Sequence, residues 1–197
     1  MKLLIAGEGV TELGELAHEP QYRDGRMGVV PVLVSRVLEG VDYEITDAVV
    51  WSRLAHQRPG KRGGPYRVGV RGRGERVNVL GLVLRASEEN LDAVVFVRDR
   101  DRSAERQQVL EDALEEARRE FPSVRTVGGV AVEAIEAWAL AAGGKRDCER
   151  HARPKEHFEG SVVETLEDAD LELAATCSPS FARWLERARS LRAGDAE

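Results

Sequence analysis

The sequence predicts an α/β fold with a mainly parallel sheet that is flanked by helices. Short apolar segments typical of buried strands, such as Lys2–Ala6 and Ala93–Val97, alternate with amphipathic segments such as Ala104–Glu120. Beyond Gly144, by contrast, no segment has the pattern of a strand. Strand–helix alternation followed by helices alone favours a layered α/β domain with a helical C-terminal appendage.

Four strands are expected from runs of apolar and β-branched residues. The first ends at a glycine, the second alternates or runs apolar, and the last is interrupted by Gly128 and Gly129. The predicted strands cover Lys2–Ala6, Tyr43–Trp51, Ala93–Val97 and Val124–Val132.

The helices are predicted from apolar residues at helical spacing and from their boundary residues. Pro31 is compatible with a first helical turn, Gly40 ends one helix, and Phe121 with Pro122 closes another. The predicted helices cover Val29–Leu38, Val77–Ser87, Ala104–Glu120, Glu133–Ala142, Ser161–Glu167 and Phe181–Leu191.

The length and composition indicate a globular protein with one main core. A chain of 197 residues with 42% hydrophobic and 32% charged residues suits one domain with an appendage. We place the α/β domain at 1–144 and the helical appendage at 145–197. No apolar run is long enough to cross a membrane, and Cys148 and Cys177 give no disulfide framework, so we expect a cytoplasmic protein.

Positive charge is concentrated in one segment, Ser52–Asn78, although the chain has a formal net charge of -6. The segment is rich in glycine and proline, which predicts a loop or a short hairpin. Clustered arginines of this kind favour contact with a phosphate backbone, whereas the alternative is a solvated loop in an arginine-biased protein. The candidate nucleic-acid-binding residues are Arg53, Arg58, Lys61, Arg62, Arg67, Arg71, Arg73 and Arg76.

Carboxylates follow two of the predicted strands. Glu8 and Glu12 lie in the stretch GEGVTE directly after the first strand, and Asp99 and Asp101 lie in RDRDRS after the third. Ligands of open parallel sheets bind outside the carboxyl ends of the strands. If these two strands are neighbours, we expect the acids to meet at one edge of the sheet.

A cluster of ionised carboxylates repels itself unless a cation neutralises it. Oxygen ligands alone favour Mg²⁺, Mn²⁺ or Ca²⁺, and a pair of such ions serves phosphodiester chemistry. Two alternatives need no metal. Glu8 and Glu12 can complement the start of a helix, and Asp99 and Asp101 can cap the helix near Ser103 and pair with neighbouring arginines.

The stretches GEGVTE and VVFVRDRDRS together resemble the Toprim domain, which has a Glu after its first strand and a DxD motif after a later one. The second Glu four residues on is similar to OLD-type nucleases, and the segment VEAIEAWALAA resembles small stand-alone bacterial Toprim-like proteins. The resemblance covers most of the chain and implies a Rossmann-like sheet with two bound Mg²⁺ or Mn²⁺ ions.

The same resemblance implies roles for single residues. Glu8 would be a metal ligand and a general acid or base, and Lys155 would offer a cation to the scissile phosphate. A solvated linker lysine remains the alternative. The other metal ligands would be Glu12, Asp99, Asp101, Glu133 and Glu136, of which the last two can also be structural.

The resemblance implies a Mg²⁺-dependent nuclease that acts on DNA. OLD-type enzymes usually carry an ATPase on the same chain, but no GxxxxGK[ST] motif occurs here. The resemblance therefore implies a separate partner ATPase, in genome defence or DNA processing, and leaves a homo-oligomer open. A non-catalytic regulatory subunit that binds metal and nucleic acid is one alternative. A haloacid-dehalogenase-like phosphatase with Asp99 as nucleophile is another, although it leaves GEGVTE unexplained.

Overall fold

A computed structural model of the chain describes residues 1–54, 74–100, 103–150 and 154–192. Within these ranges one sheet of four parallel strands has the order β2–β1–β3–β4. The strands are β1 (Lys2–Gly7), β2 (Glu44–Val50), β3 (Ala93–Asp99) and β4 (Arg125–Ala131). The predicted α/β class with a parallel sheet flanked by helices is confirmed, and this arrangement is consistent with a Rossmann-like fold.

Helices cover both faces of the sheet and also form the C-terminal part of the chain. They are α1 (Val10–Leu13), α2 (Val29–Val37), α3 (Trp51–Leu54), α4 (Glu75–Glu88), α5 (Ala104–Glu120), α6 (Glu136–Ala142), α7 (Pro154–His157), α8 (Val162–Glu167), α9 (Leu171–Cys177) and α10 (Pro179–Arg189). In the part of the chain described, none of these helices combines the length and hydropathy needed to cross a bilayer.

The interior position of β1 explains its unbroken apolar sequence. Successive side chains of a strand point to opposite faces, and both faces of this sheet are covered. Leu3 and Ile5 lie in the core beneath α2, whereas Leu4 and Ala6 lie in the core beneath α4 and α5. A strand that is buried on both sides reads as a continuous apolar run rather than an alternating one.

The helices that follow Gly144 pack on the same face of the sheet as α2 and α6. At the centre of this packing lie Trp138 of α6 and Phe181 and Trp184 of α10, with Phe181 and Trp184 stacked at 6.2 Å. Gly129 of β4 makes room for this packing, since a Cβ there would lie 2.5 Å from the Trp184 ring. The division into 1–144 and 145–197 stays a prediction.

Several predicted boundaries were wrong. The helix expected from Glu133 begins at Glu136, because Glu133 itself has a left-handed backbone with φ of 68°. Trp51 begins α3 rather than ending a strand. The helices α3, α7 and α9 were not predicted, and the helix start considered for GEGVTE is the single turn α1. Most of the predicted basic loop, 55–73, lies outside the described residues.

Candidate functional site

The carboxyl ends of β1 and β3 lie side by side, which was the condition for the predicted acidic site. Glu8 follows β1 immediately, and its Oε1 accepts a hydrogen bond of 3.0 Å from the backbone N–H of Asp99. Asp99 is the last residue of β3 and is only 4% exposed. Glu8 is therefore held against the end of the neighbouring strand.

Glu12 is buried and closes the start of α1. Its Oε2 accepts a hydrogen bond of 2.8 Å from the backbone N–H of Gly9, as a glutamate in a capping box does. The side chain lies against Gly7, where an added Cβ would come within 2.4 Å of the Glu12 Cβ. A residue with a side chain at position 7 would therefore displace Glu12.

Arg98 is the principal cation of this edge. Its guanidinium forms ion pairs with Glu8 and, at 3.2 Å, with Glu75 at the start of α4. It also lies 5.8 Å from the Trp51 ring, in the range of a cation–π contact. The Trp51 indole N–H in turn donates to Glu75 at 2.7 Å. Arg98 is thus fixed between two carboxylates and an aromatic ring.

Two further arginines bind the loops that follow β3 and β4. Arg106 of α5 donates to the backbone carbonyl of Asp99 at 3.1 Å and lies 3.2 Å from Glu75. Arg100 pairs with Glu133, whose side chain is 10% exposed. The left-handed backbone of Glu133 costs on the order of 1 kcal/mol in a residue other than glycine. This ion pair helps to hold the strained turn in place.

The N-cap of α5 is Ser103, whose hydroxyl accepts from the backbone N–H of Arg106 at 3.1 Å. The alternative without a metal considered Asp99 and Asp101 as caps of this helix. The side-chain cap is instead the hydroxyl of Ser103. Asp101 lies outside the described residues.

The remaining predicted site residues are spread along the chain. Glu136 is half-buried at the start of α6, close in sequence to the end of β4. The backbone of Lys155 lies in α7, which packs on α6, but its side chain is outside what the structure describes.

Of the predicted nucleic-acid-binding residues, Arg53 and Arg76 are described. Arg53 is exposed on α3, and Arg76 of α4 pairs with Glu116 of α5. The Arg76 Nε–H donates to the Glu116 carboxylate at 2.6 Å. This pairing raises the pKa of Arg76 further above its usual value. The other six, Arg58, Lys61, Arg62, Arg67, Arg71 and Arg73, lie outside the described residues.

The carboxylates of Glu8, Glu75 and Glu133 each form an ion pair with an arginine. Within residues 1–54, 74–100, 103–150 and 154–192, no three His, Cys, Asp or Glu side chains are grouped closely enough to hold a metal ion. The oxygen donors that are present have the chemistry a hard divalent cation requires. Arg98 and Arg100 offset the negative charge of Glu8 and Glu133.

Sequence reasoning missed Glu75 and Arg106 as parts of this network. Glu75 lies within the basic segment Ser52–Asn78 and Arg106 within the predicted helix Ala104–Glu120, and neither was a predicted site residue. Their spacing from Asp99 along the chain carries no signal, because α4 and α5 bring them together only through the fold.

Comparison of the chain with protein-family models, curated protein sequences and solved structures gives no match. What the site does must therefore be inferred from its own residues.

Proposed function

We propose that this protein is a Mg²⁺-dependent nuclease of the Toprim type that hydrolyses phosphodiester bonds of nucleic acid. We further propose that it works with a separate ATPase in genome defence or DNA processing. The observation that carries the proposal is the contact of Glu8, at the end of β1, with Asp99, at the end of the adjacent β3. This edge is where open parallel sheets bind their ligands.

The donor set suits Mg²⁺ or Mn²⁺, since every candidate ligand is a carboxylate. Glu8 and Asp99 would hold one ion and Glu12 would support a second, with Asp101, Glu133 and Glu136 as further candidate ligands. Bound divalent ions would activate water and stabilise negative charge on the phosphate. To bind these ions, the carboxylates would have to give up some of their contacts with arginines.

The chain's own groups have distinct tasks in this proposal. Glu8 accepts a proton from the attacking water. The backbone N–H of Asp99 orients the Glu8 carboxylate for that task. Arg98 stays close to Glu8 and Glu75 and offsets negative charge as the phosphate approaches. Lys155 is proposed to supply a further cation to the scissile phosphate.

A second candidate is a non-catalytic subunit that binds nucleic acid and regulates a partner. The ion pairs of Arg98 with Glu8 and Glu75 and of Arg106 with Glu75 favour it, because both carboxylates have a cationic partner without a metal. The protein would then bind nucleic acid, and it would not cleave.

Incubation of purified protein with supercoiled plasmid and labelled oligonucleotides separates the two candidates. We expect nicking or degradation with Mg²⁺ or Mn²⁺ and none in EDTA. Glu8→Gln and Asp99→Asn should each lower the rate by a factor on the order of 100 or more. Glu120→Gln is the matched control, since Glu120 is exposed at the far end of α5. Cleavage in EDTA, or cleavage by the two site variants at the control rate, contradicts the mechanism.

A further inference from the structure

A second basic surface lies beside the acidic edge, in a cleft of about 710 Å³ between the end of β3 and the C-terminal helices. Its charged lining residues are Arg100, Arg146, Asp147, Glu149, Arg150 and Arg183. Four arginines therefore face two acids, and all of these residues except Arg100 belong to the segment predicted as a helical appendage.

Both acids of the cleft are already engaged. Glu149 accepts hydrogen bonds from the Ser178 hydroxyl and, at 2.8 Å, from the backbone N–H of Ser180, at the start of α10. Asp147 pairs with Arg150 at 3.2 Å. Glu149 thus connects the segment 147–150 to α10, and the charge of Asp147 is offset by Arg150.

Arg146 and Arg183 are exposed, and neither pairs with a carboxylate among the residues that the structure describes. The Nε of Arg100 is buried and lacks a hydrogen-bond partner within the same residues. Within the described residues the cleft therefore presents the guanidinium groups of Arg146 and Arg183 without a carboxylate partner, and one unused donor of Arg100. Guanidinium groups match the geometry of phosphate oxygens and are the usual contacts of a nucleic-acid backbone.

The cleft adjoins the candidate site through two residues. Arg100 directly follows Asp99 and pairs with Glu133, and Val132, which also lines the cleft, directly precedes Glu133. A polyanion bound along Arg146 and Arg183 would therefore continue past Arg100 to the acidic edge.

We propose that this cleft binds the phosphate backbone of the nucleic-acid strand on which the acidic site acts. The inference rests on the proposed function for the identity of the ligand. It assigns substrate positioning to the C-terminal helices, in addition to the basic segment after β2.

The test is binding of fluorescein-labelled single-stranded DNA, duplex DNA and RNA, measured by anisotropy in EDTA so that cleavage is absent. Arg146→Ala/Arg183→Ala should weaken binding about tenfold or more at physiological salt. It should also lower the slope of log K against log salt by about 2. The control Arg119→Ala/Arg189→Ala removes the same charge from exposed sites outside the cleft and should change affinity less than about twofold.

Equal weakening in both double variants would overturn the proposal, as would a wild-type protein that binds none of the three probes. The charge reversal Arg183→Glu provides a second readout and should weaken binding more than Arg183→Ala. Wild-type binding that depends on Arg146 and Arg183, together with no cleavage in Mg²⁺, would refute the nuclease and support the cleft.

Discussion

The backbone N–H of Asp99 donates a 3.0 Å hydrogen bond to the side chain of Glu8, across the pair of strands at the centre of the sheet. The two residues are 91 positions apart in the chain. Because Arg98, the neighbour of Asp99, pairs with the same carboxylate oxygen, Glu8 is held by two consecutive residues of β3. The site is thus assembled by strand order and not by a local motif.

Arg98→Met tests whether Arg98 competes with a metal for Glu8. Without the guanidinium, Glu8 and Glu75 lose a charged partner, which should cost about 1.5–3 kcal/mol of stability in EDTA. Mn²⁺ should then raise the melting temperature of the variant more than that of the wild type. Calorimetric melting with and without Mn²⁺ measures both effects.

Arg85→Met is the control for this change, because Arg85 is similarly part-buried and pairs with Asp47 and Glu89. It should lower stability without increasing the response to Mn²⁺. An equal response to Mn²⁺ in both variants would show that Arg98 does not compete for a metal site.

Substitution of the two glycines of GEGVTE should have unequal effects. An alanine Cβ at Gly7 would overlap the Glu12 side chain, whereas one at Gly9 would meet nothing within 4 Å. We expect Gly7→Ala to destabilise the protein by about 1–3 kcal/mol, the usual cost of overpacking, and Gly9→Ala to be tolerated. Urea denaturation of the two variants checks this, and similar midpoints would show that the approach of Glu12 to β1 is not constrained.

The two cysteines should be inert in the folded protein. Both are buried, and burial raises the pKa of the Cys148 thiol to about 11, with the neighbouring Glu149 adding to the effect. Since only the thiolate reacts, a thiol reagent at pH 8 should modify Cys148 only after the protein unfolds.

The raised pKa of Cys148 should also make the folded protein less stable at high pH. An unfolded chain has the ordinary thiol pKa of 9.0, so it loses the proton of Cys148 before the folded protein does. This stability contribution is complete below pH 9 and is lost as the pH rises towards 11. Cys148→Ala should show a weaker decline over that interval in urea titrations, and an unchanged decline would argue against the cause.

Arg67→Ala/Arg71→Ala/Arg73→Ala should weaken DNA binding and flatten its salt dependence, by about one unit of slope for each phosphate that is no longer neutralised. These residues lie outside the described part of the chain, so the prediction rests on sequence alone. Gel-shift titrations over a series of salt concentrations measure it, and unchanged affinity at moderate salt would rule out this segment as the platform.

The sequence predicted the strands and the longer helices well, because buried parallel strands and amphipathic helices leave strong apolar patterns. Ala104–Glu120 was predicted to the residue. The neighbouring positions of β1 and β3 were a condition that the pattern could not settle, since strand order depends on how the connections cross the sheet.

The partners of the acids were less predictable. The pairing of Arg98 with Glu8 joins residues that no spacing rule relates, and the left-handed turn at Glu133 interrupts a segment that reads as helix. Glycine is not required at position 9, because the backbone of Gly9 is extended, with φ of -174°, and its surroundings are open. The requirement lies at Gly7, where two elements approach each other closely.

The two glycines in the middle of β4 have a consequence for how this protein can be divided or recombined. Gly128 leaves room for Phe96 and Leu114 on one face of the sheet, and Gly129 leaves room for Trp184 on the other. A fragment ending at Gly144 would lack Trp184, so the groove at Gly129 would be left unfilled. The C-terminal helices could then be exchanged for those of another protein only if the replacement placed a ring of similar shape over that glycine.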